Sequence, residues 1–491
     1  MKQTTLAEVR ALAAEQDCRM IPVARELMSD LRTPMEVLRA LMMVDAHCFI
    51  LASAEDSRRA GRYTFVGYDP SMEVVCRDHR LTITKGENST TEETAHPGPA
   101  IRAIIEEHRS VRVPGLPPFT GGLVGYFAYD YIKYAEPTLK LKEEDEHDFR
   151  DLDLMLFDRI ICFDHYEQKI FLIANVGTDA LEENYQKAVA QLDVMEELIR
   201  HGEQKYPKKG KMLEPLHHKF SKEEYCEKVE RVKYHIREGD IFQLVLSNPM
   251  EAQYEGSLLN TFRVLRTTNP SPYMFYFSGE DVEIAGASPE TLVKIEDGIV
   301  QTFPLAGTRP RGATREEDLE LERSLLEDEK EKAEHNMLVD LGRNDLGKIC
   351  DFGTVNVDRY LEIQRYSHVM HIGSCVSGKI RDDRCAADAV DAVLPAGTLS
   401  GAPKIRACEL INELEGDRRG LYGGAIGYID FTGNLDVCIA IRLAFKHSGK
   451  VVVRTGAGLV ADSVPEKEFQ ECCNKAAAVV QALKLAEEME E

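Results

Sequence analysis

The chain has 491 residues, 43% of them hydrophobic, enough for two or three domains or for two subdomains around a large shared core. Its formal net charge of −24, with no basic stripe on any predicted helix, excludes a nucleic-acid partner. An anionic substrate meets a repelling overall field, so a metal or local Arg and Lys must reverse the sign inside any site that takes one.

The sequence opens Met1-Lys2-Gln3-Thr4 with no apolar h-region, and no apolar run approaches the ~18 residues of a membrane span. Twelve cysteines include no C-x-x-C pair and no zinc spacing, the pattern of reduced thiols. A soluble, cytoplasmic protein is expected. In the first unit, 1–200, a helix near Thr33–Met43 leads to strands near Cys48–Ala52, Tyr63–Gly67 and Leu81–Thr84. A Pro/Gly-rich passage then precedes a strand over Gly121–Tyr129, and 180–200 reads as an amphipathic helix. Residues 201–216 are an aperiodic Lys-, Pro- and His-rich linker. The second unit, 217–491, begins with a capping box, Ser221-x-x-Glu224, and a stripe of Tyr225, Val229, Val232 and Ile236 closed by Gly239. A strand over Ile241–Ser247 follows, then one acidic helix over 316–341 behind Thr314-x-x-Glu317, then a strand over His368–Val376. The last helix opens at Ser463 with Pro465 in its first turn and a core stripe of Phe469, Cys473, Ala476, Val480 and Leu483. Gly121-Gly122-Leu123-Val124-Gly125-Tyr126 is echoed by Gly423-Gly424-Ala425-Ile426-Gly427-Tyr428, which suggests two related sheet elements.

Two Glu-x-x-Glu pairs, Glu331/Glu334 and Glu468/Glu471, each place both carboxylates on one helical face. Leu338 continues the first face, and Lys475, Ala478 and Ala482 the second, so these acids point toward a cleft rather than open solvent. Hard oxygen ligands of this kind suit Mg²⁺, which takes one or two protein carboxylates and completes its shell with water and substrate. Gly397–Lys404 fails the P-loop spacing, and Pro403 would break its amide cradle. Gly456-Ala457-Gly458 is either a tight turn or a place where backbone approaches a small carboxylate. Cys375 lies mid-strand and reads as an inert core thiol; a lone strand histidine such as His371 is usually structural. Arg442, in the apolar run Cys438–Leu443, needs an anion. Glu290, if half-buried, has a raised pKa and can act as a general acid.

These pieces, taken in order, resemble the chorismate-utilising enzymes, and among them the large components of anthranilate synthases. The matching motifs are Asp240-Ile241-Phe242-Gln243, Ala287-Ser288-Pro289-Glu290, Pro304–Arg309, Glu331–Asp345, Pro395–Lys404 and Gly456–Lys475. The resemblance implies an α+β fold, a four-layer αββα sandwich with its cleft in the second unit. It implies amination of chorismate: members that hydroxylate the ring carry Lys where this chain has Gln243, and aminodeoxychorismate synthases carry a nucleophilic Lys where it has Ala306. A 2-amino-2-deoxyisochorismate synthase, which retains the pyruvyl group, shares the same pocket and stays open as an alternative. By the same resemblance, Glu334 and Glu471, with Glu331 and Glu468 beside them, would hold Mg²⁺. Arg442, Lys475 and Tyr422 would bind the enolpyruvyl carboxylate, with Gly456 and Gly458 offering amides. Glu290 would protonate the departing 4-hydroxyl, His371 would assist loss of pyruvate, and Thr308 beside Gly307 would orient the ring. A separate glutamine amidotransferase subunit would supply ammonia. Tryptophan would inhibit at Ser53 and the element Asn269, Pro270, Ser271, Pro272, Tyr273 and Met274. The family's Leu-Leu-Glu-Ser reads Ile50-Leu51-Ala52-Ser53 here, so the inhibitor loses a carboxylate at residue 52.

Overall fold

The computed structural model describes residues 2–54, 60–141, 149–366 and 369–489. Two antiparallel sheets form its centre. In the first, the strands run in the order Met20–Met28, Lys169–Gly177, Arg159–Asp164, Tyr63–Tyr68, Cys48–Ala52, Tyr273–Ser278, Val282–Ser288, Leu443–His447, Lys450–Leu459 and Gln243–Glu255. In the second, Met72–Arg77, Leu152–Phe157, Gly122–Phe127, Ala425–Asp430, Leu435–Ile439, Thr291–Glu296 and Ile299–Thr302 are successive neighbours. Val369–Lys379 and Leu305–Pro310 extend it over the cleft.

Both sheets are covered on both faces, which is why their strands read as near-continuous apolar runs. Alternate residues of one strand serve different layers: Phe49 packs between the sheets with Phe157 and Phe277, while Ile50 points outward into the helix layer. That outer layer contains Leu38, Leu192, Phe262 and Leu483 from four helices. On the far side, Leu123 and Leu154 pack against Ile101 and Val339 from helices Gly98–Glu107 and Glu329–Gly347. The expected αββα sandwich is what the chain forms.

The expected division at 201–216 does not divide the sheets, because each takes strands from both sides of it. The halves meet where Cys48–Ala52 pairs with Tyr273–Ser278 and where Gly122–Phe127 pairs with Ala425–Asp430. Outward from each seam the order of strands repeats, so a pseudo-twofold axis relates the halves. The glycine echo marks that axis. Gly125 pairs with Gly427, Tyr126 stands opposite Asp153, and Tyr428 stands opposite Asp436 in the same register. A Cβ on Gly125 would lie 2.0 Å from the Asp153 carbonyl, and one on Gly427 2.1 Å from that of Asp436, so neither position has room for a side chain.

Locally, the capping box at Ser221 and the left-handed cap at Gly239 form as the sequence predicts. Two expectations are corrected. The acidic run is two helices, Arg315–Glu327 and Glu329–Gly347, because Asp328 caps the second by accepting from the amides of Lys330 and Glu331. The last helix, Pro465–Glu488, begins after Val464, since the Ser463 hydroxyl is used one turn earlier to accept from the Val460 amide. Its buried stripe is Cys472, Ala476, Val479 and Leu483, with Cys473 and Val480 only half-buried. His368 lies outside the described residues. No helix among those described is long and apolar enough to cross a membrane.

Candidate active site

The helices Glu329–Gly347 and Pro465–Glu488 bring their acids into one another's field. Burial raises the pKa of Glu334, and the charges of Glu331 and Glu471 raise it further. Burial likewise lifts Glu468, with Glu471 adding to the effect. Asp328 sets this geometry: as cap it starts the helix so that Glu331 lies in the first turn and Glu334 one turn on. Glu471 is 47% exposed, forms an ion pair with Lys475 at 2.7 Å, and faces an open cleft. Among the described residues, no three of His, Cys, Asp and Glu stand close enough to hold an ion by themselves. The donor set fits a divalent cation that takes one carboxylate from each helix and draws its other ligands from water and substrate.

Above the acids, the strand Leu305–Pro310 is bulged between Ala306 and Arg309. Gly307 makes the bulge with φ +65°; a side chain there would be strained and would crowd Leu325 and the Glu331 carboxylate, at 2.9 and 3.1 Å. The bulge turns the Gly307 carbonyl toward His371, whose Nδ1 lies 2.9 Å from it and 3.1 Å from the Thr308 hydroxyl. Burial lowers the His371 pKa, with Arg442 adding to it, so the ring is neutral. With Nδ1–H donating to Gly307, its Nε2 is left as a proton acceptor.

Glu290 follows the strand Val282–Ser288 and is half-buried. Burial pushes its pKa up to about 8, and the Thr398 hydroxyl donates to its Oε1 at 3.2 Å. A carboxylic acid that keeps its proton at neutral pH is a general acid in waiting. Thr398 comes from the short helix Gly397–Leu399, which is held by Arg419 donating to the Leu399 carbonyl at 2.6 Å. Arg419 and Arg454 both pair with the buried carboxylate of Glu415, which also accepts from the amide and hydroxyl of Ser247. This ion cluster fixes the strand floor beneath the cleft.

That floor carries Lys475, Arg442, Tyr422 and the glycines of Gly456-Ala457-Gly458. Arg442 does not lie within a strand, as its apolar neighbours suggested. It occupies the crossover from Leu435–Ile439 in one sheet to Leu443–His447 in the other, with φ +54°. It donates to the Lys475 carbonyl at 2.9 Å and, among the described residues, has no carboxylate partner. Lys475 donates to the Gly456 carbonyl at 3.1 Å. A Cβ on Gly456 would stand 3.0 Å from the Tyr422 hydroxyl, and one on Gly458 3.2 Å from Gln243 Nε2, so these glycines leave the space between those side chains open. Gln243 is buried; its Nε2 donates to Glu334 at 3.5 Å, and its Oε1 has no partner.

A family model described as chorismate binding enzyme matches residues 47–481. The chain belongs to the chorismate-binding enzyme family. Among curated relatives, the protein named anthranilate synthase component 1 from Acetivibrio thermocellus is 44% identical over 494 residues, covering 99% of each chain. Its namesake from Aquifex aeolicus is 41% identical and also covers 99% of each. Of solved structures, anthranilate synthase component I from Streptococcus pneumoniae matches with a TM-score of 0.75 at 37% identity, over 85% of this chain and 92% of that one. The menaquinone-specific isochorismate synthase of Escherichia coli has the same fold at 18% identity, with a TM-score of 0.69 over 97% and 98%.

The motifs quoted from the sequence meet in one cleft. Thr398 was missed at the level of sequence, although it sits in the Pro395–Lys404 motif, because its role depends on a contact with Glu290 rather than on spacing. The expected inhibitor residues lie elsewhere, around a cavity of about 600 Å³ at the seam between the halves. Leu51, Ala52, Ser53, Tyr273 and Met274 line it, joined by Pro272. Asn269, Pro270 and Ser271 do not; they end the helix Leu259–Thr268, and the Ser271 carbonyl accepts from the Ala54 amide. Burial raises the pKa of Asp436 in this cavity, and Tyr273 donates to it at 2.8 Å. Pro289 and Thr291, on either side of Glu290, also face this cavity.

Proposed function

We propose that this chain is the synthase component of an anthranilate synthase, converting chorismate and ammonia to anthranilate, pyruvate and water. The observation that carries the reading is the pairing of a protonated acid, Glu290, with a neutral base, His371, in a cleft that has Gln243 and Ala306 where other members of the family place lysines. The names of the relatives at 41–44% identity point the same way.

Arg442, Lys475 and Tyr422 anchor the enolpyruvyl carboxylate, which supplies the partner that Arg442 lacks. Glu334 and Glu471, with Glu331 and Glu468 beside them, would hold Mg²⁺, which when bound supplies charge stabilisation and a template for the ring carboxylate. Gln243 Oε1 accepts an N–H of the incoming ammonia. Nitrogen bonds to ring carbon 2, the ring double bonds shift, and the carbon 4–oxygen bond breaks as Glu290 delivers its proton, releasing water; the ammonium formed at carbon 2 then gives up one proton, which restores the Glu290 acid. His371 Nε2 then takes the proton from carbon 2. The bond from the ring to the enolpyruvyl oxygen breaks as the ring becomes aromatic, and the enolate released takes that proton on its methylene carbon to become pyruvate. Ammonia comes from a separate glutamine amidotransferase subunit, and tryptophan binds in the seam cavity as feedback inhibitor.

The test is a single assay with chorismate, ammonium and Mg²⁺. Blue-fluorescent anthranilate and free pyruvate should appear in equal amounts, and glutamine alone should give neither. An aminated product formed without pyruvate would replace this reading by a 2-amino-2-deoxyisochorismate synthase.

A further inference from the structure

The pseudo-twofold axis relates two cavities as well as two sets of strands. The seam cavity contains Tyr428 opposite Asp436. Its counterpart, of about 290 Å³, contains Tyr126 opposite Asp153. His47 takes the place of Tyr273, and Glu73 that of Thr291.

Shape is repeated, but charge is inverted. Around the seam cavity Arg112, Lys294 and Arg359 outnumber Glu296 and Asp436. Around the smaller one Glu73, Asp153, Glu280 and Asp281 surround a single arginine, Arg150. That arginine is already shared: it donates to Glu73 at 3.0 Å, to Asp153 Oδ2 at 2.6 Å and to Asp281 at 3.1 Å. Two buried polar atoms of its lining residues, Asp153 Oδ1 and the Tyr126 hydroxyl, have no partner among the described residues. Unsatisfied buried groups of this kind are rare and point to something that satisfies them. A metal ion is disfavoured, since the Arg150 guanidinium already sits among the carboxylates of Glu73, Asp153 and Asp281. Met155, Phe277, Val282 and Ile284 give the rest of the wall an apolar part, beside His47, Thr84 and Ser278.

We propose that this second cavity binds a small molecule carrying a primary ammonium group on a compact apolar body. The ammonium donates to Asp153 Oδ1 and to the Tyr126 oxygen, and the body packs on Phe277 and Met155. The volume is at the small end for a ligand site and limits the occupant to about the size of a simple amine. This site is independent of the chorismate cleft and of the occupant of the seam cavity.

The test titrates the full chain with benzylamine, followed by ligand-observed NMR and calorimetry, with benzoate as the anion of similar shape. Benzylamine should bind saturably and benzoate should not. Asp153→Asn should weaken benzylamine by about tenfold to a hundredfold, and Tyr126→Phe, which keeps the ring and the packing, by about fivefold. Tyr428→Phe in the seam cavity should leave the titration unchanged. The proposal is overturned if the parent chain shows no saturable benzylamine binding at millimolar concentrations. It is equally overturned if benzoate binds as well as the amine, if folded Tyr126→Phe protein binds like the parent, or if Tyr428→Phe weakens binding as much as Tyr126→Phe.

Discussion

The two halves of the molecule share one strand framework, yet only the second assembles the candidate active site. Arginine stands where the chain enters the first sheet in each half: Arg159 as the first residue of its strand, Arg442 just before its own. Arg159 is consumed, donating to the carboxylate of Asp69 at 2.8 Å and stacking on Tyr68. Arg442, among the described residues, meets only a backbone carbonyl, so its charge is not neutralised by a carboxylate. Where the second half leaves a gap at Gly456, the first fills it with Asn175, which donates to the Thr120 carbonyl at 2.7 Å. Where the second half has Pro289-Glu290, the first has Pro70-Ser71, and Ser71 is bonded to its neighbouring strand at Leu156. A site on this framework therefore comes from withholding partners: an arginine without its acid, a strand without its plug, a carboxyl without water.

The largest effect expected from breaking this contrast is at Glu290. Glu290→Gln should lower kcat by about a hundredfold to ten-thousandfold, while Ser71→Ala should leave it within about twofold. The pH profile sharpens the assignment. Because Glu290 acts in its protonated form, the rate per unit of free ammonia should fall as pH rises through about 8. The same raised pKa means that the folded state holds this proton more tightly than the unfolded chain, whose carboxyl has its ordinary value of 4.5. Its contribution to stability is therefore lost as pH rises from that value through about 8, and Glu290→Gln should melt higher than the parent at alkaline pH.

Next in size are the acids of the two helices. Glu334→Gln and Glu471→Gln should each raise the Mg²⁺ concentration needed for half-maximal rate by at least about tenfold, with the melting temperature kept. Normal turnover of either at limiting Mg²⁺ would show that this helix pair does not hold the cation. Arg442→Ala should raise KM for chorismate by about tenfold to a hundredfold, through loss of a charge-assisted anchor. Arg159→Ala should move the melting temperature and leave KM alone. If both variants raise KM equally, the halves are not distinguished by the free arginine. The smallest effect is at Ala52. Ala52→Glu should tighten tryptophan binding by up to about tenfold. Because the chain contains no tryptophan, fluorescence excited at the red edge of indole absorption reports the ligand alone.

Much of the site was legible because helices state their faces locally. Glu331 with Glu334, and Glu468 with Glu471, fall three residues apart on any helix, whatever the tertiary context. Glu290 required only the condition that it be half-buried. The seams between the halves were not legible, since strands from opposite ends of the chain pair with no local trace. The exception is the glycine echo, which marks the one place where the axis itself demands a residue type. Arg442 was misplaced for a related reason: apolar neighbours show burial, but a crossover between two sheets is as buried as a strand. In the stripe of the last helix Ala476 and Leu483 are buried as read, but Cys472 and Val479 face the core in place of Cys473 and Val480, since only packing separates two adjoining cysteines or two adjoining valines.

The seams also govern how such a chain comes into being. While the ribosome is still making the second half, the first already carries Cys48–Ala52 and Gly122–Phe127, whose neighbours are encoded after residue 270. At about 5–20 residues per second these two edges stay unpaired for on the order of ten seconds or more. An exposed edge is a template for any passing strand, and this one is complementary to a copy of itself turned about the same axis. Two nascent chains close together can therefore pair first half to first half. Slower synthesis lengthens that exposure, although the finished fold has both edges covered.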